Sequence, residues 1–439
     1  MKVLCISYYD KFSRFFIGIE KELKKTTPST QFEILSLYPS GYFYSLFRGV
    51  TSTLASFKCW LSAHKNRRKY ASILSQKKPV YREFDLDRLI EYQIKLNKNI
   101  KRESLLLQAI EYINFIDKKT TTSPDVILLI GDSRLLIDIT KIIAKRKDIK
   151  TYFIEQGPYK TTFFDTKGVN ANASIAGYQP EITENRSFKK EKINQFINRV
   201  KDKKYNRLPF YRGFDHILEF LIQHTVLLPP DLKNPATKTY KKAHLLKDLK
   251  LVEKEKNVFL LICQVPFDVN LTHHSPFYSS HTQILKDVYT HLPEDSILIV
   301  REHPLYKKKY AEEFYEFIST QPDIYIDTNK SFDEVLKKTH AVIVNNSTVG
   351  LEAIIKGKPV LALGNSYYDR SGICLKLQHK NELKELLKEV LHFSAEENKL
   401  DNYLYELFTN HLIKGHIIDE NLNAAKQIAH KLKTLTLSK

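Results

Sequence analysis

The chain has 439 residues, and its 42% hydrophobic content suits sizeable cores and is too high for a disordered protein, so we expect a folded, soluble protein of two domains. Lys and Arg number 69 against 50 Asp and Glu, and the net charge of +19 favours anionic partners, although an overall composition bias gives the same excess. The 13 glycines form neither a P-loop nor a GxGxxG fingerprint, which argues against P-loop NTPases and ordinary dinucleotide-dependent oxidoreductases.

The four cysteines are far apart and lack CxxC spacing, so we expect reduced thiols and a cytosolic protein. The first apolar run is very short and is followed at once by Asp10 and Lys11, unlike a signal peptide. No stretch reaches the roughly 18 apolar residues of a spanning helix. Any contact with a membrane is therefore expected to be peripheral.

The first segment has the pattern of an α/β domain, with a buried strand at Lys2–Ser7 and a helix from Phe12 to Lys25. Residues 41–69 then combine closely spaced aromatic side chains with a basic run that ends at Lys69. Such a stretch suits docking on an anionic lipid surface, and equally a helix that packs on its own domain with its basic end in water.

A β-α-β unit follows a polar, helical region at 81–118. It consists of a buried strand at 125–131, a helix at 133–145 and a second strand at Lys150–Ile154. The unit implies a parallel sheet, whose ligands bind beyond the carboxyl ends of the strands, and Glu155 lies at such an end.

A second alternating series begins after a Lys-rich, mostly helical stretch. Its predicted strands are Asn257–Cys263, Ser296–Val300, Ile324–Asp327, Ala341–Val344 and Pro359–Leu363. We therefore predict an α/β protein of GT-B-like architecture, with two Rossmann-like doubly wound domains facing a cleft and a helical insertion. The predicted divisions are 1–180 for the acceptor domain, 181–255 for the insertion, 256–380 for the nucleotide-sugar domain and 381–439 for C-terminal helices, whose return to the first domain is left open.

The first candidate segment is Glu155-Gln-Gly-Pro158, followed by Gly168-Val-Asn-Ala-Asn-Ala-Ser174. Gly157 would let the backbone approach a ligand closely, and Glu155 could act as an acid, a base or a hydroxyl acceptor. A carboxylate that only caps the next helix is the alternative.

The second segment is Gln264-Val-Pro-Phe-Asp268, where an amide and a carboxylate follow a buried strand. Pro266 disfavours a regular helix between them, and a carboxylate held at a strand end can serve as nucleophile or base. The adjacent His273 and His274 suggest a metal, but no third ligand stands at a suitable spacing.

The third segment, Arg301-Glu-His-Pro304, places two cationic side chains after a strand. Proline suits a first helical turn, so Arg301 and His303 are expected near a helix N-terminus that favours a phosphate. A structural histidine is the alternative.

The fourth segment is Asn345-Asn-Ser-Thr348, again a strand, a hydroxyl-bearing turn and a helix start. Ser347 or Thr348 could cap the helix or bind a phosphate oxygen, and Glu352 could hold the sugar hydroxyls of a nucleotide. An ordinary cap with an exposed glutamate remains the alternative.

Together these segments resemble the bacterial capsule polysaccharide biosynthesis family of the KpsS/LipB and KpsC type, retaining β-Kdo glycosyltransferases that use CMP-Kdo. The matching elements are Glu155-Gln-Gly157, Gly168-Val-Asn170 with Ser174, the QxxxD motif from Gln264 to Asp268 with His274-Ser-Pro-Phe277, His303-Pro304, Ser347-Thr-Val-Gly-Leu-Glu352 and Gly357-Lys-Pro359. They span about half of the chain, roughly residues 150 to 365.

The resemblance implies that Asp268 attacks the anomeric carbon of Kdo and forms a glycosyl-aspartate, with Glu155 as the acid/base or acceptor-orienting group. It implies an acceptor contact for Asn170. Donor contacts are implied for Gln264, His274, Ser275, Arg301, His303, Ser347, Thr348 and Glu352. Gln156 departs from the pattern, because part of the family has a second acidic residue there.

The implied partners are CMP-Kdo, a lipid acceptor of phosphatidylglycerol type or a Kdo-bearing glycan, the anionic inner face of the cytoplasmic membrane and other capsule-assembly proteins. No nucleic acid, metal or other cofactor is expected. Asp85-Leu-Asp87 matches the metal-binding DxD tripeptide of another glycosyltransferase class, but its helical context favours a solvated face. Two alternatives stay open: a GT-B transferase for another nucleotide sugar, and a non-catalytic polyanion-binding protein.

Overall fold

The computed structural model describes residues 1–180, 186–198, 202–223, 225–233, 235, 238–242, 246–247, 256–328 and 331–437. Its strands are β1 (Lys2–Ser7), β2 (Gln31–Ser36), β3 (Thr51–Leu54), β4 (Val80–Tyr81), β5 (Phe84–Asp85), β6 (Val126–Ile130), β7 (Lys150–Gln156), β8 (Thr161–Asp165), β9 (Asn257–Ile262), β10 (Ser296–Arg301), β11 (Ile324–Ile326), β12 (Ala341–Val344), β13 (Val360–Ala362), β14 (Leu375–Lys376) and β15 (Leu412–Lys414).

The α-helices begin in chain order after β1. They are α1 (Asp10–Lys24), α2 (Pro39–Leu46), α3 (Ala55–Asn66), α4 (Ala71–Leu74), α5 (Leu86–Leu96), α6 (Arg102–Lys119), α7 (Leu135–Arg146), α8 (Arg186–Ile197), α9 (Pro209–Ile222), α10 (Val269–Thr272), α11 (His281–His291), α12 (Glu312–Thr320), α13 (Phe332–Lys337), α14 (Thr348–Ile355), α15 (Leu383–Glu389), α16 (Glu397–Glu406) and α17 (Asn423–Leu437).

The first of two compact units comprises Met1–Ser174, Asn194–Pro235 and Phe408–Lys439. Its seven-stranded sheet has the order β15-β8-β7-β6-β1-β2-β3. The five strands from β7 to β3 are parallel, whereas β8 runs antiparallel to both of its neighbours. The chain returns through β15 to this sheet, and α17 packs on α1.

The second unit comprises Ile175–Ile193 and Ala236–Leu407. Its six strands are all parallel, in the order β11-β10-β9-β12-β13-β14. From β9 the chain builds the sheet toward β11 and then returns to build it toward β14, so the topological switch point lies beside β9. The α/β prediction with two doubly wound units is therefore confirmed.

The central strands are apolar at nearly every position because a parallel sheet is covered on both faces. All residues of β12 and all but the first residue of β9 are buried. The helical prediction for residues 81–118 is confirmed by α5 and α6, but the short hairpin β4–β5 was not predicted, and much of α6 is buried and not a polar surface.

Three further expectations concern the cysteines, the DxD tripeptide, and metal clusters or membrane-spanning helices. All four cysteines are buried free thiols. Asp85 caps α5 and Asp87 binds Arg102 through two hydrogen bonds of 2.7 Å, so the DxD tripeptide has structural partners. Within the described ranges there is neither a cluster of three potential metal ligands nor a helix long and apolar enough to cross a bilayer.

Candidate functional site

The candidate site lies at the carboxyl edge of the second unit's sheet. Strands β10, β9, β12 and β13 are neighbours, and Arg301 and Val344 both align with Ile262. The loops that follow these strands therefore start at one level and carry the second, third and fourth sequence segments. A sheet edge beside the switch point is where ligands bind in such folds.

The loop after β9 places Asp268 at the start of α10. Asp268 caps this short helix, with Oδ1 accepting a hydrogen bond of 3.1 Å from the backbone N–H of Asn270. Asn346, at the end of β12, holds the loop by donating to the carbonyl oxygens of Asn270 at 2.8 Å and His274 at 3.1 Å. Ser275 donates to Oδ1 of Asn345 at 3.0 Å. Two asparagines thus position the acidic loop.

Gly364, after β13, completes this packing. A Cβ atom there would lie 2.6 Å from the carbonyl oxygen of His274 and 2.7 Å from Oδ1 of Asn345. The neighbouring Asn365 donates its backbone N–H to the same His274 carbonyl at 2.7 Å. The residue must be glycine because three loops meet without room for a side chain.

Gln264 follows β9 and has a buried side chain. Its residue is only 6% exposed, and neither Oε1 nor Nε2 makes a hydrogen bond within the described part of the chain. An unpaired buried amide costs on the order of 1–3 kcal/mol. A ligand with both donor and acceptor groups would offset that cost.

Tyr310 and His281 fix the backbone around Gln264. The Tyr310 hydroxyl donates to the Gln264 carbonyl at 2.9 Å and accepts from the His303 N–H at 3.0 Å, which joins the ends of β9 and β10. Nε2 of His281 accepts from the Gln264 N–H at 3.2 Å, so its proton is assigned to Nδ1. Neither residue belongs to a motif that the sequence suggested.

His303 and Asp268 lie within electrostatic range of each other. Burial lowers the pKa of His303, and the negative charge of Asp268 opposes that shift. Nδ1 of His303 accepts from the Leu305 N–H at 3.3 Å, so a neutral ring carries its proton on Nε2. Both side chains belong to the second unit, and His303 offers a neutral donor beside a carboxylate.

The prediction that an α-helix begins directly after His303 is wrong. Pro304–Tyr306 forms a single 3₁₀ turn, and the next helix, α12, begins only at Glu312. Arg301 donates through Nη1 to the buried Asp327, which offsets its charge, so its contact with a donor phosphate stays a prediction.

Ser347 begins α14. Its side chain accepts from the Val349 N–H at 3.4 Å, and its carbonyl accepts from the Tyr368 hydroxyl at 2.5 Å. Thr348 is the first helical residue, and Glu352 follows one turn later on the same face. Ser347 itself accepts from the N–H groups of Val349 and Gly350, so what this eight-residue helix offers an anion at the sheet edge is mainly the positive end of its dipole.

Glu155 belongs to the first unit and lies near the carboxyl end of β7. Oε1 accepts a hydrogen bond of 2.8 Å from the N–H of Gln156. Burial lowers the pKa of Lys11, and the nearby charge of Glu155 opposes that shift. Oγ1 of Thr161 lies 2.5 Å from where a Cβ of Gly157 would stand, so the β7–β8 hairpin needs glycine here, and the close approach of a ligand to its backbone stays a prediction.

Two buried carboxylates that the sequence did not suggest hold the Gly168–Ser174 loop. Asp132 accepts at 2.9 Å from the Val169 N–H, and Asp165 accepts at 2.5 Å from the Ser174 hydroxyl. Burial raises the pKa of Asp165, but hydrogen bonds from His411 and Ser174 outweigh it and lower the pKa to about 2. Asn170 has a φ of 52° at the start of a 3₁₀ turn in this loop, a conformation that asparagine tolerates.

We expect stability to fall as the pH drops below 6.5 because of His281. Burial lowers its pKa from 6.5 to about 3, so the unfolded chain binds a proton that the folded chain does not. The contribution is fully present above pH 6.5 and decreases by ~1.4 kcal/mol per pH unit toward pH 3. Urea unfolding of wild type and His281→Gln at several pH values measures it, and parallel stability curves would contradict it.

Most of the sequence matches a known protein family. The model of the capsule polysaccharide biosynthesis protein family matches residues 125–417, well over half of the chain. The capsule polysaccharide export protein KpsS of Escherichia coli is 24% identical over 276 residues, which cover 57% of this chain and 69% of KpsS. The capsule polysaccharide modification protein LipB of Neisseria meningitidis serogroup A is 24% identical over 284 residues, 56% of this chain and 65% of LipB.

Among solved structures, the β-Kdo 2,7 transferase of Thermosulfurimonas dismutans KpsC has a TM-score of 0.36 and 15% identity, with 73% of this chain and 89% of that chain covered. The matched family region contains the whole carboxyl edge of the second sheet, together with Glu155 and the Gly168–Ser174 loop. The chain belongs to the capsule polysaccharide biosynthesis protein family.

Proposed function

We propose that the chain is a retaining glycosyltransferase that transfers Kdo from CMP-Kdo to a hydroxyl group of a lipid or glycan acceptor. Family membership supports a role in capsule synthesis, and the resemblance of the motifs supports the donor. The observation that carries the proposal is the sheet edge where the buried amide of Gln264, which makes no hydrogen bond to the described residues, precedes Asp268, whose charge acts on His303.

The donor phosphate would bind between His303 and the start of α14. Nε2–H of His303, the hydroxyl groups of Ser347 and Thr348 and the positive end of the α14 dipole would hold the phosphate without a metal ion. Glu352 would accept from the ribose hydroxyls, and Gln264, His274 and Ser275 would contact the base or the sugar. Arg301 is paired with Asp327, so we propose that it acts on the donor phosphate at a distance and does not bind it as an unpaired cation.

Transfer would proceed in two displacements. A carboxylate oxygen of Asp268 forms a bond to the anomeric carbon of Kdo, and the bond to the phosphate oxygen breaks with its electron pair leaving on CMP. The acceptor hydroxyl then attacks the same carbon, the bond to Asp268 breaks, and the hydroxyl proton passes to a base. Two inversions at one carbon give net retention.

Glu155 is our candidate for that base, and Asn170 our candidate for an acceptor contact. Both belong to the first unit, at the end of β7 and in the Gly168–Ser174 loop. Incubation of the full chain with CMP-Kdo and either lysophosphatidylglycerol or a Kdo-terminated glycan tests the function directly. If neither acceptor gives a product and no CMP is released, the proposed function is contradicted.

CMP should stabilise the protein against heat more than UDP or GDP does. A ligand that binds only the folded state at 100 times its Kd adds about 2.7 kcal/mol of stability, so a donor-specific pocket gives a clear rise in Tm. Differential scanning fluorimetry at equal nucleotide concentrations compares the three. Stabilisation by UDP or GDP that exceeds that by CMP would favour another nucleotide sugar.

A further inference from the structure

Exposed apolar side chains are concentrated in one part of the first unit. Of the 14 exposed large hydrophobic residues in the described ranges, ten fall within 46–61 and 208–227. We call these ten residues the apolar surface: Leu46, Phe47, Leu61, Leu208, Phe210, Ile217, Phe220, Leu221, Val226 and Leu227. Scattered exposed leucines are ordinary, but a grouping of this kind marks an interaction site.

Helix α9 provides the centre of the apolar surface. Phe210, Ile217, Phe220 and Leu221 follow helical spacing and stand on one exposed face. Phe220 is 86% exposed, while Tyr211 on the other side of the helix is buried. The helix therefore packs through one face on its unit and presents an apolar face to the surroundings.

Contacts join the two chain segments into one surface. The rings of Phe47, after α2, and Phe210 have centroids 6.1 Å apart. Beyond α9, the carbonyl of Val226 accepts hydrogen bonds from Trp60 Nε1 at 2.8 Å and His64 Nε2 at 3.3 Å, both on α3. The 71% exposed Val226 thus lies beside the exposed face of α3 that carries Leu61.

The sequence left open whether residues 41–69 dock on lipid or pack on their own domain, and packing describes most of the stretch. Tyr44 and Trp60 are buried and belong to the core of the first unit. Only Leu46, Phe47 and Leu61 remain exposed among the large apolar residues of the stretch. The other exposed apolar side chains belong to α9 and its flanks, which the sequence did not suggest as a docking element.

Basic side chains are concentrated on α3, beside the apolar surface, and in the turn that follows this helix. Lys58, Leu61 and Lys65 follow each other on one exposed face of α3, a helix without acidic residues. Two acidic residues stand on α9, of which Asp215 pairs with Arg207 at 2.9 Å and Glu219 is exposed. Apolar side chains beside clustered cations match the layers of an anionic bilayer.

We infer that the apolar surface docks the protein on an anionic lipid bilayer, with α9 lying in the interface and the cations of α3 at the headgroups. Phe220 and Leu221 would enter the acyl boundary, and Lys58 and Lys65 would meet lipid phosphates. This inference does not depend on the proposed transfer reaction.

Cosedimentation of the full chain with vesicles tests it. We expect binding to phosphatidylcholine vesicles that contain phosphatidylserine, with at least about 10-fold weaker partitioning to phosphatidylcholine alone and a decrease with added salt. The double variant Ile217→Asp/Phe220→Asp should lose at least about 10-fold in partitioning, and so should Leu61→Asp. Phosphatidylserine is not the proposed acceptor, so binding to these vesicles reports docking on lipid and not recognition of the acceptor.

The matched control is Val80→Asp, a change at an exposed apolar residue of β4 outside the apolar surface, which should bind like wild type. Equal unfolding midpoints show that the variants are folded. The inference is overturned if wild type does not bind anionic vesicles or if both surface variants bind within twofold of wild type. A salt-independent dimer that the double variant abolishes, without vesicle binding, would assign the surface to a second copy instead.

Discussion

Asp268→Asn is expected to reduce Kdo transfer by at least about 10³-fold while CMP affinity stays within about threefold of wild type. The amide oxygen of asparagine can still accept from the Asn270 N–H, so the cap of α10 and the loop persist. The neutral amide does not form the glycosyl ester. Steady-state rates and CMP titration of the same preparation separate the two effects.

Asp323→Asn is the matched control for this variant. Asp323 stands before β11, at the opposite end of the strands, and pairs with Lys256 at 2.9 Å on a half-exposed surface. Its loss should change neither the rate nor CMP affinity, because such pairs contribute about 0–1 kcal/mol. A rate for Asp268→Asn within tenfold of wild type would remove this carboxylate from the proposed chemistry.

His303→Ala should weaken CMP binding by about 10- to 100-fold, since a hydrogen bond to a charged group contributes about 1.5–3 kcal/mol. The neutral ring offers Nε2–H to the phosphate while Nδ1 accepts from Leu305. Because burial lowers the pKa of His303, CMP affinity should show no histidine titration near neutral pH. Calorimetric titration of CMP measures both effects.

Two further variants distinguish a phosphate contact from a structural role. His303→Gln keeps an N–H donor at a similar distance and should recover part of the affinity. His291→Ala, in the last turn of α11, removes a half-exposed histidine that pairs with Asp287 and should have no effect. Unchanged affinity in His303→Ala would place the phosphate elsewhere.

The local pattern was sufficient for the central strands but not for the edges. The strands β6, β9, β10 and β12 are buried apolar runs with clear ends, which is why their positions could be predicted. The missed strands of the two large sheets are the edge strands β3, β14 and β15, with two to four residues, and β2 and β8, which lie next to an edge. The short hairpin β4–β5 was missed as well. Their pairing depends on a neighbouring strand and leaves little trace in the sequence.

Site residues were predictable where they follow a strand and unpredictable where they act over distance. Gln264 and Asp268 stand beside a recognisable apolar run, whereas Tyr310 reaches Gln264 across 46 residues of sequence. The helix expected after Pro304 fails because the chain leaves the first turn at Lys307, whose ψ is 127°, and Lys308 follows with a φ of 61°. A Pro-initiated turn and a Pro-initiated helix look alike until the chain conformation a few residues later is known.

Intact-protein mass spectrometry after exposure to CMP-Kdo and no acceptor is the most direct test of a glycosyl-aspartate mechanism. We predict that wild type gains the mass of one Kdo residue as CMP is released, that peptide mapping places the adduct on Asp268, and that Asp268→Asn gains nothing. Release of CMP without an adduct in a quenched time course, or an adduct that persists in Asp268→Asn, would contradict it.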